Sequence, residues 1–168
     1  RVNGIDIWYD LSGEGPMLAL THGFAGPSEM WPPVIDEIRA RVRLLRYDVR
    51  GHGRTSLPNA ATFTLPQFAA DLRGLLDHLG IERAHVGGVS MGGMISAQFA
   101  CDYPDRLRSV LLCDTTAGNQ GDPETAPVER KKMPRARTFA GEVVVPPGQL
   151  VIVAAPSAGT VRALGEGI

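Results

Sequence analysis

Short apolar runs alternate with segments of helical period through the first two thirds of the chain, and that alternation predicts strands and helices in turn. Residues 2–9 and 10–16 read as a strand and a turn-rich return punctuated by Gly13 and Gly15, an antiparallel entry hairpin. Residues 17–20 (Met-Leu-Ala-Leu) form a continuous apolar run that suits a fully buried strand releasing into the Thr21-His22-Gly23-Phe24 loop. Trp31, Val34, Ile35 and Ile38 then recur at helical spacing, with Pro32 and Pro33 tolerable only in a first turn. Residues 42–47 read as the next buried strand. The strongest helix starts at Thr64, which forms a capping box with Gln67 and carries Leu65, Phe68, Ala69, Leu72, Leu75, Leu76 and Leu79 on one face before Gly80. A strand over 84–89, a helix over 91–103 and a strand over 109–113 follow. This order predicts an α/β fold with a parallel sheet covered on both faces.

Beyond Thr116 the pattern changes. Residues 117–142 are rich in Gly, Pro, Lys, Arg and Glu without a sustained period and read as loop or disorder. Two β-prone runs, 143–145 and 150–155, flank Pro146-Pro147-Gly148, and the last residues are small and glycine-rich.

Composition narrows the function classes. With 168 residues, 43% of them hydrophobic, the chain is long enough for one domain with a buried core. A formal net charge of −1 gives no overall field for nucleic acid or an anionic membrane, so a small-molecule partner is expected. The cluster Arg130, Lys131, Lys132, Arg135 and Arg137 is diluted by Glu124 and Glu129 and lacks interleaved aromatics, which reads as a solvated linker. Cys101 and Cys113 lie in apolar runs and read as buried thiols rather than a disulfide. No run approaches the roughly 20 apolar residues of a membrane span, and no basic-then-apolar segment opens the chain as a secretory signal would. A cytoplasmic location is expected. The chain opens at Arg1 inside what reads as a strand, so an earlier start is expected too.

The chemistry centres on Gly88-Val89-Ser90-Met91-Gly92. Gly-x-Ser-x-Gly arises by chance in roughly one chain in ten of this length and composition, so its context matters. A nucleophile elbow needs a strand before the serine and a helix after it, with the serine on a tight turn above the sheet; the predicted elements supply both. The competing reading makes Ser90 an ordinary cap of the following helix. All four histidines, His22, His52, His78 and His85, precede Ser90, so none stands where a serine nucleophile of this type keeps its base.

The loop His22-Gly23-Phe24, the turn Tyr47-Asp48-x-Arg50-Gly51-His52-Gly53-Arg54-x-Ser56 and the elbow with Gly93 resemble, in order and spacing, the α/β-hydrolase fold superfamily. Gly92-Gly93-Met94, Tyr103-Pro104-Asp105-Arg106-Leu107 and Leu111-Leu112-Cys113-Asp114-Thr115 look most like its 3-oxoadipate enol-lactonase, esterase and haloperoxidase-like branch. The resemblance covers residues 1–118. It implies an α/β-hydrolase fold with a mostly parallel, doubly wound sheet and helices on both faces. It further implies that Ser90 is the nucleophile, that the backbone N–H groups of Phe24 and Met91 form an oxyanion hole, and that neither cofactor nor metal is needed. The triad histidine is missing. His22 takes the place of a structural histidine beside the oxyanion loop, His52 that of a hydrogen-bonded turn residue, His78 a solvated helix residue and His85 a strand-start residue. Asp114, ending the strand after the elbow helix, is the candidate acid, and Asp48 is expected to anchor its loop. Residues 150–160 resemble a later family strand, with Pro156 or Ser157 where an aspartate is expected.

The expected division is therefore a core over 1–118, a polar linker or cap remnant over 119–142, and a divergent tail over 143–168 holding one later core strand or unrelated sequence. Two functional readings stand. One is a serine hydrolase of carboxylic esters or lactones, incomplete as given, with a haloperoxidase-like side activity at the same serine as a variant. The other is a non-catalytic remnant that keeps the sheet and cannot turn over. The strand at 109–113 is expected to be an apolar edge prone to self-association unless residues 150–155 pair with it.

Overall fold

A computed structural model describes residues 1–24, 26–57 and 63–115 and the strand segments 137–139, 142–144 and 150–154. The chain runs β1 (Tyr9–Ser12), β2 (Met17–Thr21), α1 (Pro32–Arg39), β3 (Arg43–Tyr47), α2 (Leu65–His78), β4 (Ala84–Val89), α3 (Met91–Asp102), β5 (Leu107–Cys113), β6 (Arg137–Phe139), β7 (Glu142–Val144) and β8 (Leu150–Ala154). Six strands form one sheet in the order β1-β3-β2-β4-β5-β8, and β6 and β7 pair separately. β1 is antiparallel to β3, while the other neighbours in the large sheet are parallel.

The period of two along the inner strands divides the core between two faces. Ala19, Leu45, Val86, Val110 and Leu112 point to one side, where Phe68, Leu72, Leu75 and Leu76 of α2 and Ile95 and Phe99 of α3 cover them. Leu18, Leu20, Leu44 and Leu111 point to the other, against Ile35 and Ile38 of α1 and Trp31. Covering both faces suits the near-continuous apolar character of these strands.

Local signals account for the helix limits. The Thr64 hydroxyl accepts from the Gln67 N–H at 3.3 Å, as the capping residues predict. At the other end Gly80, at φ +67°, lets its N–H reach Asp77 O and the Ile81 N–H reach Leu76 O, a Schellman closure that satisfies the last carbonyls. α3 stops one residue short of the expected end, because Tyr103 precedes Pro104 and is driven out of the helical region.

Two expectations are corrected. Residues 2–9 are not one strand of an entry hairpin. Val2-Asn3-Gly4-Ile5 closes on itself, with Asn3 and Gly4 both at positive φ and paired Val2–Ile5 backbone bonds, and β1 takes β3 as its partner. The Asn-Gly pair is the reason, since two successive left-handed residues make the tight turn that suits a two-residue hairpin. Loop was also expected across 117–142, yet residues 137–139 are β6 and Glu142 opens β7, in antiparallel register with Thr138 opposite Val143. Short β-prone segments around a glycine suffice for such a pair. The rest of that expectation, 117–136, 140 and 141, and the reading of Pro156 and Ser157 lie outside the described residues. β8 pairs with β5, from Ser109 opposite Leu150 to Cys113 opposite Ala154, so β5 is an interior strand. No helix among the described residues is long and apolar enough to cross a membrane.

Candidate active site

Parallel strands deliver their C-terminal ends to one edge of the sheet, and that edge is where open α/β sheets bind ligands. Here β2 releases His22-Gly23-Phe24, β3 releases Asp48 and the Arg50–Arg54 turn, β4 releases Ser90, and β5 releases Asp114-Thr115. The sequence motifs, far apart in the chain, therefore meet at one place.

Ser90 sits between β4 and α3 at φ 53° and ψ −118°, a left-handed conformation that non-glycine residues rarely adopt. Strain of this kind costs about 1–3 kcal/mol and persists only where the surroundings enforce it. They do so here. The Ser90 N–H donates to Cys113 O at 3.0 Å, and the Ser90 carbonyl accepts from the Gly93 and Met94 N–H groups and from the Thr115 hydroxyl at 2.6 Å. Close packing at the turn explains both glycines of the motif. A Cβ on Gly88 would press on the Gly92 backbone, and one on Gly92 would fall on the Thr21 carbonyl oxygen. The Ser90 hydroxyl makes no cap bond to α3, and the residue is exposed, so the helix-cap reading of Ser90 does not describe this geometry.

The loop after β2 lies directly against this turn, since a Cβ on Gly23 would stand 3.6 Å from Ser90 Cβ. Neither the Phe24 nor the Met91 N–H has a partner among the described residues. Met91 also opens α3, whose N-terminal dipole end favours negative charge. The Phe24 ring is 72% exposed and meets His52 edge-on at 5.7 Å.

His22 is fully buried and has both nitrogens engaged: Nε2 accepts from the Val49 N–H at 2.9 Å, and Nδ1 donates to Gly23 O at 2.7 Å. A carbonyl can only accept and an N–H only donate, so a single neutral tautomer fits. Burial holds its pKa below the ordinary histidine value, against the opposing Gly23 bond. His22 thereby ties the loop after β2 to the end of β3, as a structural histidine would. His52 Nδ1 meets Arg50 O at 3.1 Å within its turn, and His78 is exposed near the end of α2. His85 Nδ1 lies 2.7 Å from Ser109 Oγ at the start of β4, and burial, then Arg108, lowers its pKa.

Among the acids, Asp48 anchors its loop. Its buried carboxylate accepts from the Ser28 N–H at 2.8 Å, the Arg54 N–H at 3.0 Å and Arg54 Nε at 3.2 Å. Burial alone would raise its pKa, but these bonds outweigh it and leave the pKa lowered. Asp114 is exposed, at φ 42°, and directly follows Cys113, the register partner of Val89, so it ends β5 beside the elbow. No hydrogen bond or ion pair joins it to another described residue.

Two contributors escaped the sequence reading. Asp71 forms a buried two-point pair with Arg50, Nε to Oδ2 and Nη2 to Oδ1 both at 2.7 Å, which holds the Arg50–Arg54 turn against α2. Its signal was a charged residue inside the apolar face formed by Phe68, Leu72 and Leu75. Thr115, which bonds the Ser90 carbonyl, carried no signal of its own.

Residues 16–159 match the profile of the alpha/beta hydrolase fold family. A Cupriavidus necator relative, the dihydrolipoyllysine-residue acetyltransferase component of an acetoin cleaving system, is 40% identical over 112 residues, 66% of this chain and 30% of the relative. The structure is similar to the enol-lactonase of Burkholderia xenovorans, with a TM-score of 0.67 and 36% identity over 70% of this chain and 46% of that one. It is also similar to a thermophilic esterase from Thermogutta terrifontis, with a TM-score of 0.66 and 36% identity over 71% and 44% of the two chains. The chain thus spans less than half the length of each of these proteins. Sheet order, elbow and family match agree, and the chain belongs to the alpha/beta hydrolase fold family.

Proposed function

We propose that this chain carries the nucleophile side of a hydrolase site for carboxylic esters or lactones, with Ser90 as nucleophile and the Phe24 and Met91 N–H groups as oxyanion donors. The observation that carries this reading is the exposed residue Ser90, its hydroxyl free of any helix-cap bond, on a strained turn between β4 and α3. Relatives of similar structure named as an enol-lactonase and an esterase favour an ester or lactone substrate. A small molecule is the expected partner.

The chemistry follows from the placement. Ser90 Oγ passes its proton to solvent water and bonds to the carbonyl carbon, and the carbonyl oxygen takes the negative charge toward the two N–H groups. Collapse of this intermediate breaks the bond to the alkoxy oxygen, which takes a proton from solvent water as it leaves; in a lactone the same cleavage opens the ring. Water then adds to the acyl carbon and releases the acid and the Ser90 hydroxyl. Asp114, at the adjacent strand end, is the proposed acid for orienting a base.

A triad of this kind also needs a base for Ser90. No histidine follows Ser90 in the 168 residues, and His22 has both nitrogens committed. This favours a second reading, in which the chain keeps the site's frame without turnover. Oxyanion hole and binding alone retain about 10³-fold or more over water in serine hydrolases stripped of their triad, so residual ester cleavage is expected even without the base, and whether it passes through Ser90 is what a burst reads. The test is nitrophenol release from p-nitrophenyl acetate, read in the first turnover and at steady state. A burst of one equivalent that disappears in Ser90→Ala supports Ser90 as nucleophile, and sustained release supports full hydrolysis. A folded protein giving neither leaves only the second reading.

A further inference from the structure

The Ser90 carbonyl and the Met91 N–H belong to one peptide unit. That unit is planar and trans, so its C=O and N–H point in opposite directions, and whatever fixes one fixes the other. The carbonyl side is held by three donors, of which two come from the first turn of α3, the Gly93 and Met94 N–H groups at 3.0 and 3.2 Å. The third, and shortest, comes from outside the helix: the Thr115 hydroxyl at 2.6 Å, two residues past the end of β5.

The packing around Thr115 is tight enough to make this bond specific. A Cβ on Gly93 would lie 2.6 Å from both Cβ and Cγ2 of Thr115, so only a glycine there lets the threonine approach the elbow. β5 grips the other side of Ser90 as well, through the bond from the Ser90 N–H to Cys113 O. Between these two grips Asp114 adopts φ 42°, a turn that carries the chain from the strand to the hydroxyl contact.

We propose that Thr115 is a positioning residue for the oxyanion donor, its hydroxyl pinning the peptide plane that joins Ser90 to Met91 and so aiming the Met91 N–H at the reacting carbonyl oxygen. A hydrogen bond on the carbonyl also polarises the peptide and strengthens its N–H as a donor, since bonds in a chain reinforce one another. The proposal rests on the reading of Met91 as an oxyanion donor, and its test separates the two.

Thr115→Val keeps the shape and removes the hydroxyl, and Thr115→Ser keeps the hydroxyl. Each variant is compared with the wild-type chain by the first-turnover acylation rate with p-nitrophenyl acetate and by the Ser90 carbonyl ¹³C and Met91 amide ¹⁵N resonances. In Thr115→Val both resonances move and acylation slows about tenfold, the scale expected when a reacting group is slightly misplaced. Thr115→Ser restores both. A Thr115→Val variant with unmoved resonances and a wild-type rate overturns the proposal, as does a Thr115→Ser variant slowed as much as the valine. If the wild-type chain is not acylated at all, the reading of Ser90 as a working nucleophile fails, and the resonances alone decide the proposal. Resonances that move in the valine and return in the serine still support the pinned plane, and unmoved ones overturn it.

Discussion

Removing the carboxylate of Asp71 tests how the Arg50–Arg54 turn is held. The Arg50 and Asp71 side chains are 6% and 3% exposed and share two bonds of 2.7 Å. In Asp71→Ala the guanidinium stays buried with only Asn3 O, at 3.4 Å, as an acceptor among the described residues, and the Asn3 amide loses its 3.0 Å bond to Oδ1. Two charge-assisted bonds at about 1.5–3 kcal/mol each agree with the about 3–5 kcal/mol lost when one partner of a buried pair is removed. A domain of ordinary stability holds about 5–15 kcal/mol, so Asp71→Ala is expected to fold marginally. The assay is urea unfolding of the wild type, both single variants, Arg50→Met and Asp71→Ala, and the double variant Arg50→Met with Asp71→Leu. Each single variant should lose about 3–5 kcal/mol, and the apolar pair should recover most of it, because it leaves no buried charge uncompensated. A loss below about 1 kcal/mol in Asp71→Ala, the worth of an exposed pair, would mean that this pair does not hold the turn.

Two further outcomes follow from the site. Gly92→Ala drives a methyl group onto the Thr21 carbonyl, and backbone meets backbone there, so neither side can yield. It should cost about 1–3 kcal/mol in urea unfolding and remove first-turnover acylation; a stable, fully acylated Gly92→Ala protein would contradict the packing account. His22, held by burial below its ordinary pKa of 6.5, binds its proton more weakly folded than unfolded. Its contribution to stability is therefore complete above about pH 6.5 and falls as the pH drops below that value toward the folded pKa. The loss reaches at most about 1.4 kcal/mol per pH unit for this one proton. Urea midpoints at pH 7, 6 and 5 should fall more steeply for the wild type than for His22→Gln, whose remaining slope comes from His85; parallel curves would count against a buried neutral His22.

Much of the fold was written in local pattern. The apolar runs at β2, β3, β4 and β5 and the capping residues Thr64 and Gly80 each act within a few positions, so periodicity and cap chemistry locate them. The entry hairpin failed because strand pairing is decided by distant partners: β1 reaches past β2 to β3, and the Asn3-Gly4 turn absorbs residues that alternate like a strand. The elbow was legible because its glycines are a steric requirement of the turn itself. Asp71 and Thr115 were not, because their roles depend on Arg50 and on the Ser90 carbonyl, partners brought to them only by the folded sheet.

Whether Ser90 is a nucleophile is read by mass spectrometry of the chain after reaction with a fluorophosphonate probe. One adduct per folded chain is expected, on the peptide containing Ser90, lost in Ser90→Ala and absent from Ser28, Ser56 and Ser96. A folded wild-type chain left unlabelled, or labelled equally in Ser90→Ala, would contradict it.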